Sequence, residues 1–114
     1  MIIKNVTRGT VLAEKVTFAY SFKSRFQGLI GRAALEKGEA LALPSCNSIH
    51  TFFMRFAIDV LFLDSTGKVV GKIENMAPFR ISPIFWQGSM VIELPIGTAQ
   101  RTLTHISDTI SWVG

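Results

Sequence analysis

The sequence predicts a mainly β, α+β domain: a compact antiparallel barrel or sandwich of short strands, with one or two short helices plugging an end. Three observations point there. Short runs rich in Val, Ile, Phe and Thr alternate with turns built from Gly, Pro and Asp. Only one stretch carries a clear helical apolar period. The composition, 48% hydrophobic and 18% charged with nine Phe among 114 residues, supplies a core that a disordered segment lacks. No repeat, low-complexity tract or linker interrupts the chain, so residues 1–114 read as one domain.

Residues 2–7 and 11–18 are rich in β-branched side chains and flank Arg8-Gly9-Thr10, which predicts a first hairpin or bent pair of strands. A helix is expected over 22–30. Ser21 can cap its first turn, Phe22, Phe26, Leu29 and Ile30 fall on one buried stripe, and Gly31 offers a left-handed terminator. Gly28 inside it costs about 1 kcal/mol of helix propensity relative to Ala, which points to a close backbone approach. Residues 39–43 read as a strand ending at Pro44. Residues 48–56 and 58–63 read as further strands, with Asp64-Ser65-Thr66-Gly67 turning the second into a hairpin with 68–73. A loop is expected over 78–88, a strand over 90–94, a short helix near 98–103 and a last strand over 109–113.

Four segments resemble the domain of unknown function 192 family, a group of small bacterial and archaeal proteins. Arg25-Phe26-Gln27-Gly28-Leu29-Ile30-Gly31-Arg32, followed by Leu35, is similar to the family's Arg-x-x-Gly-Leu-Met-x-Arg-x-x-Leu helix, with Ile30 in the Met position. Residues 49–64, from Ile49-His50-Thr51-Phe52-Phe53-Met54-Arg55 to Asp64, resemble its central signature, with Ala57 where many members have Pro. Gly67-Lys68-Val69-Val70 resembles the following hairpin, and Ile92-Glu93-Leu94-Pro95-Ile96-Gly97 the late Leu-Glu-Leu-Pro-Ala-Gly segment. The resemblance implies a compact, mainly antiparallel β fold with short helices, and no established activity. Another branch carries Phe-Trp-Met-Lys-Asn-Thr where this chain has His50 to Arg55, and many of its members look exported. Neither Cys46 nor His50 is therefore essential to the shared fold.

Charge and cysteine content narrow the function classes. Twelve Lys and Arg against eight Asp and Glu leave +4, but the cations are scattered, with no run of three. Nucleic acid is therefore not the expected partner, since its binders gather such charges into a stripe. The expected partner is a small molecule or a protein, with the oligomeric state left open. A single cysteine, Cys46, excludes an intramolecular disulfide. Residues 1–6 lack the features of a secretory leader, and the apolar stretch 52–63, broken by Arg55 and Asp59, is too short to span a bilayer. A cytoplasmic protein without a membrane span is expected.

Cys46 and His50 form the obvious nucleophile–base pair, and Asp59 is the candidate to orient the imidazole. The alternative is a small buried thiol and a hydrogen-bonded histidine within or beside the sheet. No metal or cofactor is expected, because Cys46, His50 and His105 show no ligand spacing. Asp59 and Glu93 sit inside apolar runs, where a carboxylate needs a partner; Arg25, Arg32 and Arg55 are the candidates. Such pairs form either an internal ion-pair and capping network or a polar ligand pocket. The loop tip Ile84, Phe85 and Trp86 forms an apolar patch if exposed and a cover if folded back.

Three functions follow from these residues. The favoured reading is a non-catalytic binding or adaptor module with a polar cleft around His50, Met54, Arg55 and Asp59. The others are a thiol-dependent enzyme using Cys46 and His50, and a structural component docking through the Phe85–Trp86 loop. The first two require Cys46, His50 and Asp59 to share one neighbourhood.

Overall fold

A computed structural model describes residues 1–29 and 32–114, with the side chains at 22 and 26–28 outside the description. The expected Phe22, Phe26 and Ile30 stripe, the close approach at Gly28 and the Gly31 terminator therefore lie outside the described residues. In chain order the elements are β1 (Ile2–Asn5), β2 (Thr10–Ala13), β3 (Lys15–Phe18), α1 (Phe22–Leu29), β4 (Glu39–Pro44), β5 (Ile58–Leu63), β6 (Val69–Met76), β7 (Met90–Pro95), α2 (Thr98–Arg101) and β8 (Ile110–Val113). The fold is mainly β with two short helices. Ser21 caps α1 as expected, its Oγ accepting the Ser24 amide at 3.1 Å.

The strands form two sheets, ordered β2-β1-β8 and β3-β4-β7-β5-β6. Among the described residues they are joined by a bridge between Lys68 and Thr109, beside amide bonds from Val69 to Asp108 and from Ile110 to Gly67. No closed barrel results. One pairing also departs from the antiparallel expectation: β3 and β4 run parallel, because the chain between them passes through α1 instead of a tight turn.

Two expected strands are corrected. Residues 11–18 are not one strand, because the chain changes sheets at Glu14. The Glu14 and Lys15 amides both donate to the Gly38 carbonyl, at 2.8 and 2.9 Å, and the register of β2 with β1 ends there. Residues 48–56 are not a strand either. They make one isolated bridge, His50 to Ile81, and then turn, with Phe53 in the left-handed region at φ 66°.

Alternation along β5 separates two cores. Ile58, Val60 and Phe62 face a cluster with Leu41, Leu43, Val91, Ile49, Met54 and Leu29 of α1. Leu61 and Leu63 face Ile92, Leu94 and the three-stranded sheet's Ile3, Leu12 and Ile110. The five-stranded sheet is thus a middle layer, and β5 is buried on both faces. The predicted turn after it forms as expected: Asp64 Oδ1 accepts the Thr66 and Lys68 amides. Gly67 holds φ 89°, where a Cβ would lie 2.6 Å from the Ile110 carbonyl oxygen.

The chain ends are tied together by a buried carboxylate. Asp108 Oδ2 accepts from Asn5 Nδ2 at 2.9 Å, Arg8 Nε at 3.0 Å and the His105 amide at 3.0 Å. Burial pushes this carboxyl up, but those bonds and the Arg8 charge outweigh burial and hold its pKa at about 2, against 3.8 for the free side chain. A depressed carboxylate contributes stability that is complete above 3.8 and drains away as pH falls toward about 2. Urea midpoints measured across that acid window should fall for the native chain. They should fall less steeply for Asp108→Asn, which is weaker at neutral pH; equal slopes would rule Asp108 out as the responsible group.

Candidate functional site

Glu93 occupies the middle of β7, fully buried, in register with Leu41 of β4 and Val60 of β5. A carboxylate there needs a cation brought to it. Arg25 of α1 supplies one: its Nε lies 3.0 Å from both Glu93 oxygens and its Nη2 2.6 Å from Oε2. The same Nη2 points at Met54 Sδ at 3.7 Å, so the loop after β4 packs on the pair. Burial pushes the Glu93 carboxyl up, and the hydrogen bonds and charge of Arg25 pull it back.

Asp59 lies on the other side of this sheet. In β5 it alternates with Ile58 and Val60, so it shares the face of Leu61 and Leu63. Its Oδ1 accepts the Asn75 amide and its Oδ2 the Ala99 amide in the first turn of α2, both at 2.9 Å. The acid therefore caps a helix and ties down the end of β6.

His50 stays on the Arg25 side. Its Nδ1 accepts the Phe52 amide at 3.2 Å, and its ring stacks on Phe52 with centroids 4.7 Å apart. Burial, and then the Arg25 charge, push its pKa down, so the neutral ring is favoured. Cys46 donates its thiol to the Ser48 carbonyl at 3.0 Å and lines a groove of about 160 Å³ with Tyr20 and Pro44. Cys46, His50 and Asp59 are each engaged elsewhere, and the sheet separates Asp59 from the other two. The shared cleft expected from the sequence is not built.

The remaining candidates also divide. Arg32 forms a two-pronged pair with Glu39, at 2.7 and 3.2 Å. Arg55 is exposed and has no carboxylate partner among the described residues. Met54 is buried. In the aromatic loop, Ile84 and Trp86 are exposed while Phe85 turns inward onto Phe62, with ring centroids 4.2 Å apart. Gly71 makes room for that ring, since a Cβ there would come within 2.4 Å of it.

One surface was not foreseen. Buried Thr51 stitches residues 49–54 to 77–82: its amide donates to Arg80 O, its carbonyl accepts from Phe79 and Met54, and its hydroxyl donates to Ala77 O and accepts from the Arg80 amide. Bonds between Ile49 and Ser82 and between Phe85 and Asn47 extend the seam. The result displays Phe53 (64% exposed), Phe79 (57%) and Ile81 (71%). Phe53 and Phe79 meet edge-on at 5.9 Å, and both hold left-handed backbones, at φ 66° and 59°. The adjacent Phe52-Phe53 was the available signal, but its apolar context read as a strand.

A model of the family described as Uncharacterized ACR, the domain of unknown function 192, matches residues 3–112. A UPF0127 protein of Thermococcus sibiricus is 35% identical over 112 residues, covering 95% of this chain and 72% of that protein. A UPF0127 protein of Pyrococcus abyssi is 36% identical over 118 residues, covering 98% of this chain and 97% of that one. Two crystal structures share the fold. A protein of unknown function from Novosphingobium aromaticivorans matches with TM-score 0.80 at 19% identity, over 97% of this chain and 82% of that one. One from Sinorhizobium meliloti, described as a proposed transcription regulator, matches with TM-score 0.76 at 20% identity, over 96% and 89%.

The segments that resembled the family in sequence meet at these fasteners. Arg25 of the first reaches Glu93 of the last, and Asp59 of the central one caps the helix that follows the last. Removing one partner of a buried pair leaves the other charge stranded, typically at about 3–5 kcal/mol, whereas replacing both with apolar groups is often near neutral. Arg25→Met alone should therefore destabilise by about that amount in urea unfolding, and Arg25→Met with Glu93→Leu should recover most of the loss. Additive losses in the double variant would show that the two side chains act independently.

Proposed function

The chain belongs to the domain of unknown function 192 family, and we propose that it is a non-catalytic binding module. Its contact surface on this reading is the stitched loop pair carrying Phe53, Phe79 and Ile81, with His50 and Arg55 at the margin. One observation carries the proposal: two phenylalanines are held both exposed and left-handed by a buried threonine. A left-handed backbone costs a non-glycine residue roughly 1–2 kcal/mol. An exposed aromatic ring gains little from folding. Gly or Asn would serve the turns better, so a surface that keeps Phe at both is better explained by contact with a partner than by stability.

Catalysis draws less support. An imidazole whose Nδ1 accepts a backbone amide, a thiol bonded to a backbone carbonyl and a carboxylate across the sheet do not form a relay. The cytoplasmic setting is part of the same proposal, resting on the single Cys46, which allows no intramolecular disulfide. No helix among the described residues is long and apolar enough to cross a membrane.

Phe53→Asn with Phe79→Asn separates binding from folding. Asn tolerates the left-handed region, so the double variant should stay within about 1 kcal/mol of the parent in urea unfolding. Affinity capture from whole-cell extract, membranes included, should recover a species with the parent chain that the variant loses. Identical recovery by both chains would end the proposal.

A further inference from the structure

We infer that the partner of this loop surface is an anionic phospholipid bilayer, with Phe53, Phe79 and Ile81 entering the headgroup region while Arg55 and Arg80 meet the phosphates. The inference rests on the loop pair being the contact surface, and it follows from shape and charge.

Shape comes first. Small ligands are gripped in concave sites. The side chains of Phe53, Phe79 and Ile81 are instead 64%, 57% and 71% exposed. Peptides dock on a sheet edge or in a groove. Here Thr51 and Ile49 spend their backbone groups on Arg80, Phe79 and Ser82 of the facing loop, so the seam offers no strand edge at those positions. Apolar tips stand out from a rigid base instead. A deformable bilayer accommodates such tips without a matching socket.

Charge selects the lipid. Residues 40–58 and 75–92 contain no Asp or Glu, so both loops and their flanks present cations alone. Arg55 and Arg80 are exposed and have no carboxylate partner among the described residues. Apolar tips flanked by exposed guanidinium groups without a carboxylate partner among the described residues complement acyl chains beneath anionic headgroups. A second copy of the chain would instead bring like charges face to face. Two phosphate-reading cations are also too few for firm nucleic-acid binding, whose strength comes from many such contacts.

The test is co-sedimentation of the full chain with large unilamellar vesicles, either phosphatidylcholine alone or equimolar phosphatidylcholine and phosphatidylglycerol. Binding should be roughly tenfold or more tighter to the anionic vesicles, because each arginine near a charged surface contributes at about the scale of a severalfold change. Phe53→Asn with Phe79→Asn should abolish sedimentation, and Arg55→Gln with Arg80→Gln should remove the preference for phosphatidylglycerol, both with cooperative thermal unfolding retained well above the assay temperature. Absence of binding to either vesicle overturns the inference. So does binding that ignores the phenylalanine variant, since that is general adsorption of a cationic protein. If vesicles fail while whole-cell extract still yields a protein or nucleic acid that depends on Phe53 and Phe79, the bilayer is excluded and the binding surface stands.

Discussion

Glu93 lies where a carboxylate is most costly to keep, in the central strand of a sheet covered on both faces. Water cannot reach it, so the charge needs a cation held against it, and the guanidinium of Arg25 supplies one at 2.6 Å. That requirement shapes the layer above the sheet. It brings α1 over β7, aims Arg25 inward and leaves Met54 of the following loop packed against the same group. Hydrocarbon at both positions would hold the layers together about as well. What the pair adds is position: three fork-like hydrogen bonds fix where the helix sits in a way that interchangeable Leu contacts do not.

Carboxylates play the same part elsewhere. Asp59 fastens α2 and the end of β6 to the opposite face, Asp64 closes the β5–β6 turn, and Asp108 ties the N-terminal strand to the C-terminal loop. Each accepts from two or more donors on segments that hydrophobic burial alone would leave free to slide. Acids that a sequence reader takes for reactive groups are here used up in holding the frame. The family-like segments thus supply Arg25, Asp59, Asp64 and Glu93 without assembling a reactive centre.

Much of this was legible in the chain. The Asp64-to-Gly67 turn, the strands on either side of it and the Ser21 cap follow from local chemistry, and local chemistry decided them. Asp59 and Glu93 could be recognised as needing partners, and internal pairing and capping was one of the two roles foreseen. Their separation was not legible. It depends on register, because Asp59 pairs across β7 with Leu94 while Glu93 pairs with Val60, and neighbouring residues on a strand point to opposite faces. Residues 48–56 failed for a related reason. Their apolar content satisfies a strand, but Thr51 bonds to groups 26 and 29 residues away, and no window on the sequence contains both partners.

The same long-range bonds explain why the loop pair can serve as a recognition surface. Loops that carry exposed aromatics usually collapse onto the nearest apolar patch or lose order, and either outcome removes the rings from a partner's reach. Thr51 prevents both, because its backbone and hydroxyl hold Phe79, Arg80 and Ala77 in place from beneath. Phe85 shows the contrast within one loop: Gly71 leaves a seat for its ring, so it folds inward, whereas Phe53 and Phe79 meet edge-on and stay largely exposed. A rigid base with rings already in place lowers the ordering entropy that binding must overcome. The strain in the two left-handed residues is then sustained by the frame, whose buried Arg25–Glu93 pair reaches the loop through Met54, the neighbour of Phe53.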